Sequence, residues 1–353
     1  MEANDWIQIA LYLGALSALT PLAGAFMHRV CSGERHFLSP VLGWLERLIY
    51  KTGGVDPQRE MRWTGYALAL LAFNFLGCAL TLVQLMTQAW PPLNTEHQPN
   101  PATGFAHNME GKEVRLGVMN SVLWSTATTD ASNGSVNAMH DSLSPIAGAV
   151  ALVNIMLGEV IFGVVGAGLY GMLVFVILTI FIAGLMVGRT PEYLGKKIEA
   201  REVKWAVVAA LAPCVCILLG TALAASVPAD SATLNNNGAH GFSEILYAFS
   251  SAAGNNGSAF AGIGVNNDFY NYALAVCMLI GRFAIIVPVL AIAGSMVGKK
   301  IAPPSPGTFP TTGATFVGLL IAVVLIVGGL NFFPALSLGP IVDHLLMAAG
   351  RTL

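Results

Sequence analysis

Apolar residues fall along this chain in long blocks, not in the alternation of a strand or the single stripe of a surface helix. Residues 6–27, 63–86, 203–227 and 314–333 each form a nearly unbroken apolar run, matching the roughly 20 residues a helix needs to cross a bilayer core. A fifth run, 269–297, is long enough but carries Arg282 and Pro288. The stretch 143–188 holds 46 residues and one charge, Glu159, too much for one crossing and awkward for two. Backbone groups in lipid must be satisfied internally. The pattern therefore predicts an all-α polytopic membrane protein with about six crossings.

Composition agrees. Charged residues are 10% of the 353, against about 25% in a soluble domain. Hydrophobic residues reach 55% and the mean hydropathy is +0.67, which excludes a soluble core and disorder. A net charge of −2 provides no basic field for nucleic acid. The bases are concentrated: Arg29, Arg35, Arg47, Lys51, Arg59 and Arg62 follow the first run, Arg189, Lys196, Lys197, Arg201 and Lys204 follow Gly188, and Lys299 and Lys300 precede the last run, 13 of the 17 in all. The positive-inside rule makes these cytoplasmic, so six crossings leave both termini outside. No signal peptide is expected, because the first five residues carry two acids and no base. Cys31 falls in a cytoplasmic loop and Cys78, Cys214, Cys216 and Cys277 in spans, where small core residues are the expected role.

The chain also repeats itself. Leu123-Trp124 and Leu246-Tyr247 each open a segment of small polar residues that ends in Asn-Gly-Ser, at 133–135 and 256–258, with a constant offset of 123. Each copy then runs into an apolar span with a shared ending, Ile182-Ala-Gly-Leu-Met-Val-Gly-Arg189 and Ile292-Ala-Gly-Ser-Met-Val-Gly-Lys299. The first copy is 13 residues longer and contains Gly158, Gly163, Gly166, Gly168 and Gly171. We read 143–188 as one crossing broken by an irregular Gly-rich loop, tolerated at membrane depth only where it is buried or lines water.

Ahead of each Asn-Gly-Ser lies a short helix, about 114–126 and 241–249, too brief to span and suited to re-entry. A descending helix, a small-residue loop and a crossing back form the pore-loop plan of cation channels. There, carbonyls replace the hydration shell of an ion. One Asn-Gly-Ser alone is an ordinary turn or a glycosylation acceptor; two in the same context point to filter loops. The candidate K⁺-binding residues are Ser132, Asn133, Gly134, Ser135, Asn255, Asn256, Gly257 and Ser258. Glu159 and Arg282 are intramembrane charges, functional by default, and form a candidate pair, either on the ion path or in coupling, or equally as a structural salt bridge that steadies the broken span. Asp130 and Asp141 are expected to attract cations at the mouth, and His140 is read as a helix-start polar residue.

The runs 108–115 (Asn-Met-Glu-Gly-Lys-Glu-Val-Arg), 138–142 (Ala-Met-His-Asp-Ser), 166–171, 188–197, 240–244 (His-Gly-Phe-Ser-Glu) and 254–262 resemble KdpA, the potassium-binding subunit of the bacterial Kdp K⁺-transporting ATPase, over nearly the whole chain. The resemblance implies a channel-like, non-catalytic subunit of the superfamily of K⁺ transporters in the bacterial inner membrane, with both termini periplasmic. Such a subunit takes K⁺ through a selectivity filter and passes it to the P-type ATPase subunit KdpB, with KdpC assisting. It also places 132–135 and 255–258 on the family's third and fourth filter loops. The family has four pore-loop repeats and this chain has two, with the join near 95–106. The first two filter loops are absent, as if by internal deletion. Either two chains pair to complete the ring, or the chain cannot bind K⁺ selectively; the alternatives to an ATPase subunit are a passive homodimeric cation pore and an inactive, internally deleted relic.

The expected domains are 1–90, two spans with a basic cytoplasmic loop; 91–113, an external junction; 114–202, a pore-loop repeat with a broken second helix; 203–302, the second repeat; and 303–353, the last span and an external tail. The chain has no G-x-x-x-x-G-K-[ST] and no Asp-Lys-Thr-Gly, so ATP chemistry is expected on a partner. Gly166-Ala-Gly-Leu-Tyr-Gly171 lacks the strand and the acid of a dinucleotide site. K⁺ is the only ligand expected, with no organic cofactor. Membrane lipid is the expected contact of the loop bases, with partner docking second.

Overall fold

A computed structural model of the chain describes residues 110–158, 167–227, 233–301 and 314–349, with the single positions Gly14, Ala18, Trp44, Lys51, Pro303 and Thr311. Apart from those positions, the expected spans 6–27 and 63–86 lie outside the described residues, as does Glu159. The chain divides into two compact units, Met1–Arg62 and Trp63–Leu353, and the helices named below belong to the second.

In chain order these are α1 (Gly117–Ala131), α2 (Pro145–Met156), α3 (Ala167–Val187), α4 (Ala200–Ser226), α5 (Gly238–Gly254), α6 (Asp268–Val297), α7 (Ala314–Leu336) and α8 (Val342–Ala348). Four helical stretches among the described residues, within α3, α4, α6 and α7–α8, are long and apolar enough to cross a membrane. The helices α1 and α5, with 15 and 17 residues, rise about 25 Å at most, short of the roughly 30 Å apolar slab. Each is longer than expected from the apolar pattern. Their last turns consist of Thr, Asp, Ser and Ala, which carry no apolar signal but end in a left-handed cap.

The stretch 143–188 divides where glycine accumulates. Ser144 precedes Pro145 at the first position of α2, which suits a residue with fixed φ and no N–H. The helix stops at Met156, and Gly158 takes φ +80°. Helix resumes at Ala167, and the residues between lie outside those described. Its counterpart α6 runs 30 residues without a break, through both Arg282 and Pro288.

Packing centres on the second repeat, where α4, α5 and α6 lie against one another. One buried cluster joins Leu152 and Ile155 of α2, Ile217 of α4, Leu246 and Phe249 of α5, Cys277 of α6 and Phe332 of α7. A second joins α3, α4, α6 and α7 through Ile177, Ala206, Ile292 and Phe316. Outward faces are apolar as well: Met186 is 83% and Leu330 78% exposed, and Leu185, Val215, Leu219, Val276, Leu279 and Leu325 are all exposed. Apolar surface on that scale is untenable in water and ordinary against acyl chains. The protein is a membrane protein.

The shared endings of the two copies meet. After Gly188 (φ +66°) the chain forms a hairpin, β1 (Glu192–Tyr193) against β2 (Lys196–Lys197), turning through Leu194 and Gly195, both at positive φ. Lys196 Nζ donates to Met296 O at 2.7 Å in the last turn of α6, where a cation meets the negative end of the helix. Lys299 Nζ lies 2.6 Å from Glu202 Oε2 and 3.2 Å from Glu199 Oε2. Glu199 and Glu202 form the capping box that starts α4. Two of the expected lipid-facing bases, Lys196 and Lys299, are thus engaged within the protein.

Candidate functional site

The repeat seen in the letters is also present in the backbone. Ser132 caps α1 at φ 55°, ψ 48°, and Asn255 caps α5 at φ 56°, ψ 30°. Two residues on, Gly134 and Gly257 take φ +71° and +94°. Each intervening asparagine bends the chain back in the same way. Asn133 Oδ1 accepts from Ser135 N and Oγ, both at 2.9 Å, and Asn256 Oδ1 accepts from Ser258 N at 2.9 Å and from Ser258 Oγ. These are side-chain-built turns of the kind Asn makes readily. In each copy one backbone bond ties the segment before the short helix to the segment after the loop, with donor and acceptor exchanged: Met139 N donates to Gly111 O and Asn235 N to Gly262 O, both at 2.8 Å.

An aromatic residue in each short helix reaches the matching serine eleven positions later. Trp124 Nε1 donates to Ser135 O at 3.1 Å. Tyr247 O–H lies 2.8 Å from Ser258 Oγ. The second anchor continues into a buried chain. His140 Nδ1 lies 2.9 Å from the Tyr247 oxygen, and burial pushes His140 down to about 4, so its imidazole is neutral. Ser258 Oγ gives its proton to Asn256 Oδ1. Tyr247 must then donate to Ser258, and His140 Nδ1–H must donate to Tyr247. This direction orients the Asn256 amide, whose Nδ2 donates across the repeat to Thr128 O at 2.9 Å.

The loops touch at their glycines. A Cβ on Gly134 would strike Asn256 O and come within 3.1 Å of Gly257 Cα, and one on Gly257 would sit 3.6 Å from Gly134 Cα. Only residues without a side chain allow this approach. Asn133, Ser135 and Gly257 are exposed, whereas Ser132, Asn256 and Ser258 are buried. Beside the loops is a cavity of about 120 Å³, bordered by Ser132, Asn255, Gly158, Arg282 and Asn331 among mostly apolar walls. The C-terminal ends of α1, α2 and α5 all reach it, and such ends carry partial negative charge.

The remaining expectations divide. Arg282 lies on the cavity wall with Tyr170 of α3; its expected partner Glu159 is outside the described residues. Asp130 is half-buried in the last turn of α1, and burial raises its carboxyl. Asp141 is buried against His240 and does not stand free at a mouth. Cys214 and Cys277 are buried and Cys216 partly so, all as free thiols. Trp124, Thr128, Tyr247 and Ser251 gained no role from the sequence, although their register with the loops was there to be read.

The chain matches the family KdpA, described as potassium-transporting ATPase A subunit, over residues 10–108 and 96–345. It is 38% identical to a potassium-transporting ATPase potassium-binding subunit from Rhodospirillum centenum over 566 residues, 99% of this chain and 99% of that protein. Proteins of the same description from Herpetosiphon aurantiacus and Sorangium cellulosum are 54% identical over 302 residues and 61% over 240, covering 85% and 68% of this chain but 52% and 41% of theirs. The chain thus spans about half the length of most curated relatives it matches. With two matched segments that together take in most of its length, the chain belongs to the family of potassium-transporting ATPase A subunits, KdpA.

Proposed function

We propose that this chain binds K⁺ between its two loops as a non-catalytic subunit of an ATP-driven uptake system and delivers the ion to a KdpB-like ATPase subunit, with a KdpC-like subunit attached. The observation that carries this reading is the contact of two identically built loops, Ser132–Ser135 and Asn255–Ser258, at Gly134 and Gly257, with three helix C-terminal ends at the adjoining cavity. Dehydrating a monovalent cation requires compact oxygen dipoles held in place. The turns of Asn133 and Asn256 and the anchors Trp124 and Tyr247 do the holding. We place the protein in a bacterial inner membrane with both termini periplasmic, on the asymmetry of its bases.

The two family matches overlap at 96–108. The alignment with the Rhodospirillum centenum protein extends over 566 residues, 213 more than the 353 here. Both support a chain that lacks an internal segment holding the first two filter loops. A second copy would then supply the missing half of the ring. The deciding experiment reconstitutes the chain with and without KdpB- and KdpC-like subunits and follows Rb⁺ uptake. ATP-dependent uptake that loses its preference over Na⁺ in Gly134→Ala and Gly257→Ala is the expected result. Flux without ATP would favour the passive homodimeric pore, and no flux in either format would leave an inactive relic.

A further inference from the structure

A second polar cluster lies apart from the loop contact. His240, in the first turn of α5, places Nε2 3.0 Å from Asp141 Oδ1 and 3.1 Å from Asp141 O, and Nδ1 2.8 Å from Asp343 Oδ2 of α8. Glu244 follows His240 one turn later on the same face. Its Oε1 accepts from Asn236 Nδ2 at 2.9 Å. Its Oε2 has no hydrogen-bond partner among the described residues, although Glu244 is 0% exposed. Asp141, His240 and Glu244 each offer a ligand atom within 4.8 Å of the others. The backbone of Gly262 lies so close behind Asp141 that a Cβ there would come within 2.5 Å of its Cγ, which holds the carboxylate in place.

Three carboxylates share this space with one imidazole, and no Lys or Arg among the described residues forms an ion pair with them. His240 pairs with Asp141 and Asp343, which leaves Glu244 as the buried carboxyl with no charged partner, a group that is costly to ionise unless it binds a metal. We propose that Asp141, Glu244 and His240 form a binding site for a divalent transition-metal ion, best matched by Zn²⁺, with Asp343 orienting the histidine. The donor set, one imidazole nitrogen with carboxylate oxygens, suits zinc. Two ligands at tetrahedral zinc lie about 3.3 Å apart, and the Nε2–Oδ1 separation is 3.0 Å. A zinc-ligating histidine commonly donates its other N–H to a carboxylate, the position Asp343 occupies. Binding exchanges the Nε2 proton of the imidazolium for the ion, and that proton leaves to solvent. The ion would clamp the segment after the first loop to the start of α5, with α8 held through the histidine.

The test uses the full chain in detergent, stripped with EDTA and desalted, then titrated with Co²⁺ and Zn²⁺. The expected result is one saturable ion per chain, Co²⁺ ligand-field bands displaced by Zn²⁺, and a higher unfolding midpoint with Zn²⁺ but not with Mg²⁺. Glu244→Gln should weaken Zn²⁺ binding at least about tenfold, and Asp343→Asn about 10–100-fold with the Co²⁺ bands retained. Absence of saturable binding would overturn the site, and so would Zn²⁺ affinity unchanged in Glu244→Gln. If that variant does not fold, the wild-type midpoint decides: no Zn²⁺-specific rise rejects the proposal.

Discussion

Gly134 combines a left-handed backbone with a contact that leaves no room for a methyl group, since a Cβ would meet the carbonyl of Asn256. Gly134→Ala should therefore cost about 1–3 kcal/mol through strain and the displaced loop, read as a lower unfolding midpoint together with reduced K⁺ preference. Gly257→Ala has 3.6 Å available but is strained by its backbone at φ +94°, so it too should lower the midpoint and lose selectivity. Tyr247 has a different task. Its hydroxyl links neutral His140 to Ser258 and, through it, to Asn256. Tyr247→Phe leaves buried groups without that partner, at a cost of about 1–3 kcal/mol. It should weaken K⁺ affinity more than Trp124→Phe, whose indole anchors an exposed carbonyl; equal effects would argue against the buried chain as the stiffer of the two anchors.

Helix α6 makes its closest approach to the end of α5 at a glycine. A Cβ at Gly281 would overlap the carbonyl of Ala253 in the last turn of α5, so the two backbones touch there. Gly281→Ala should push α6 away from the end of α5 and lower the unfolding midpoint by an amount worth about 1–3 kcal/mol. Gly318 of α7 has nothing within 4 Å of such a Cβ, and Gly318→Ala should leave the midpoint unchanged or raised. If both substitutions behave alike, the close approach of α5 and α6 is not what holds the second loop. The short helices follow the same logic. Their C-terminal ends are useful because they stop at a left-handed residue beside the cavity, and a span carried through to the other side would place no helix end there.

With the two loops of the described residues as its proposed filter, one chain would surround an ion from two sides. A functional complex is therefore expected to contain two copies of it, which native mass measurement of the reconstituted assembly would show; a single copy with selective uptake would reject the completed-ring reading. Across the membrane interior, Glu159 and Arg282 are proposed to pair. Glu159→Arg and Arg282→Glu should each impair uptake, and the double exchange should recover it; additive loss would rule the pair out. At the level of the assembly, Zn²⁺ removal is predicted to loosen α8 without abolishing K⁺ preference, because the cluster at His240 and the glycine contact share no residue.

Much of this protein could be read before any coordinate was known. Blocks of about 20 apolar residues announce membrane helices because lipid demands both length and internal hydrogen bonding. A repeat with a constant offset announces two equal loops, because backbone conformation follows local residue types: Asn for the side-chain turn, Gly for positive φ. The break near Gly158 was legible for the same reason. Contacts between distant segments were not. Nothing in the letters says that Tyr247 meets His140, that Asn256 reaches Thr128, that Lys196 caps α6, or that Asp141, Glu244 and Asp343 gather around His240. Apart from Glu244, which follows His240 by one helical turn, those pairings join residues about 100 positions apart, and only the fold brings them within about 3 Å. Side-chain type sets what a residue can bond, and the fold chooses its partner.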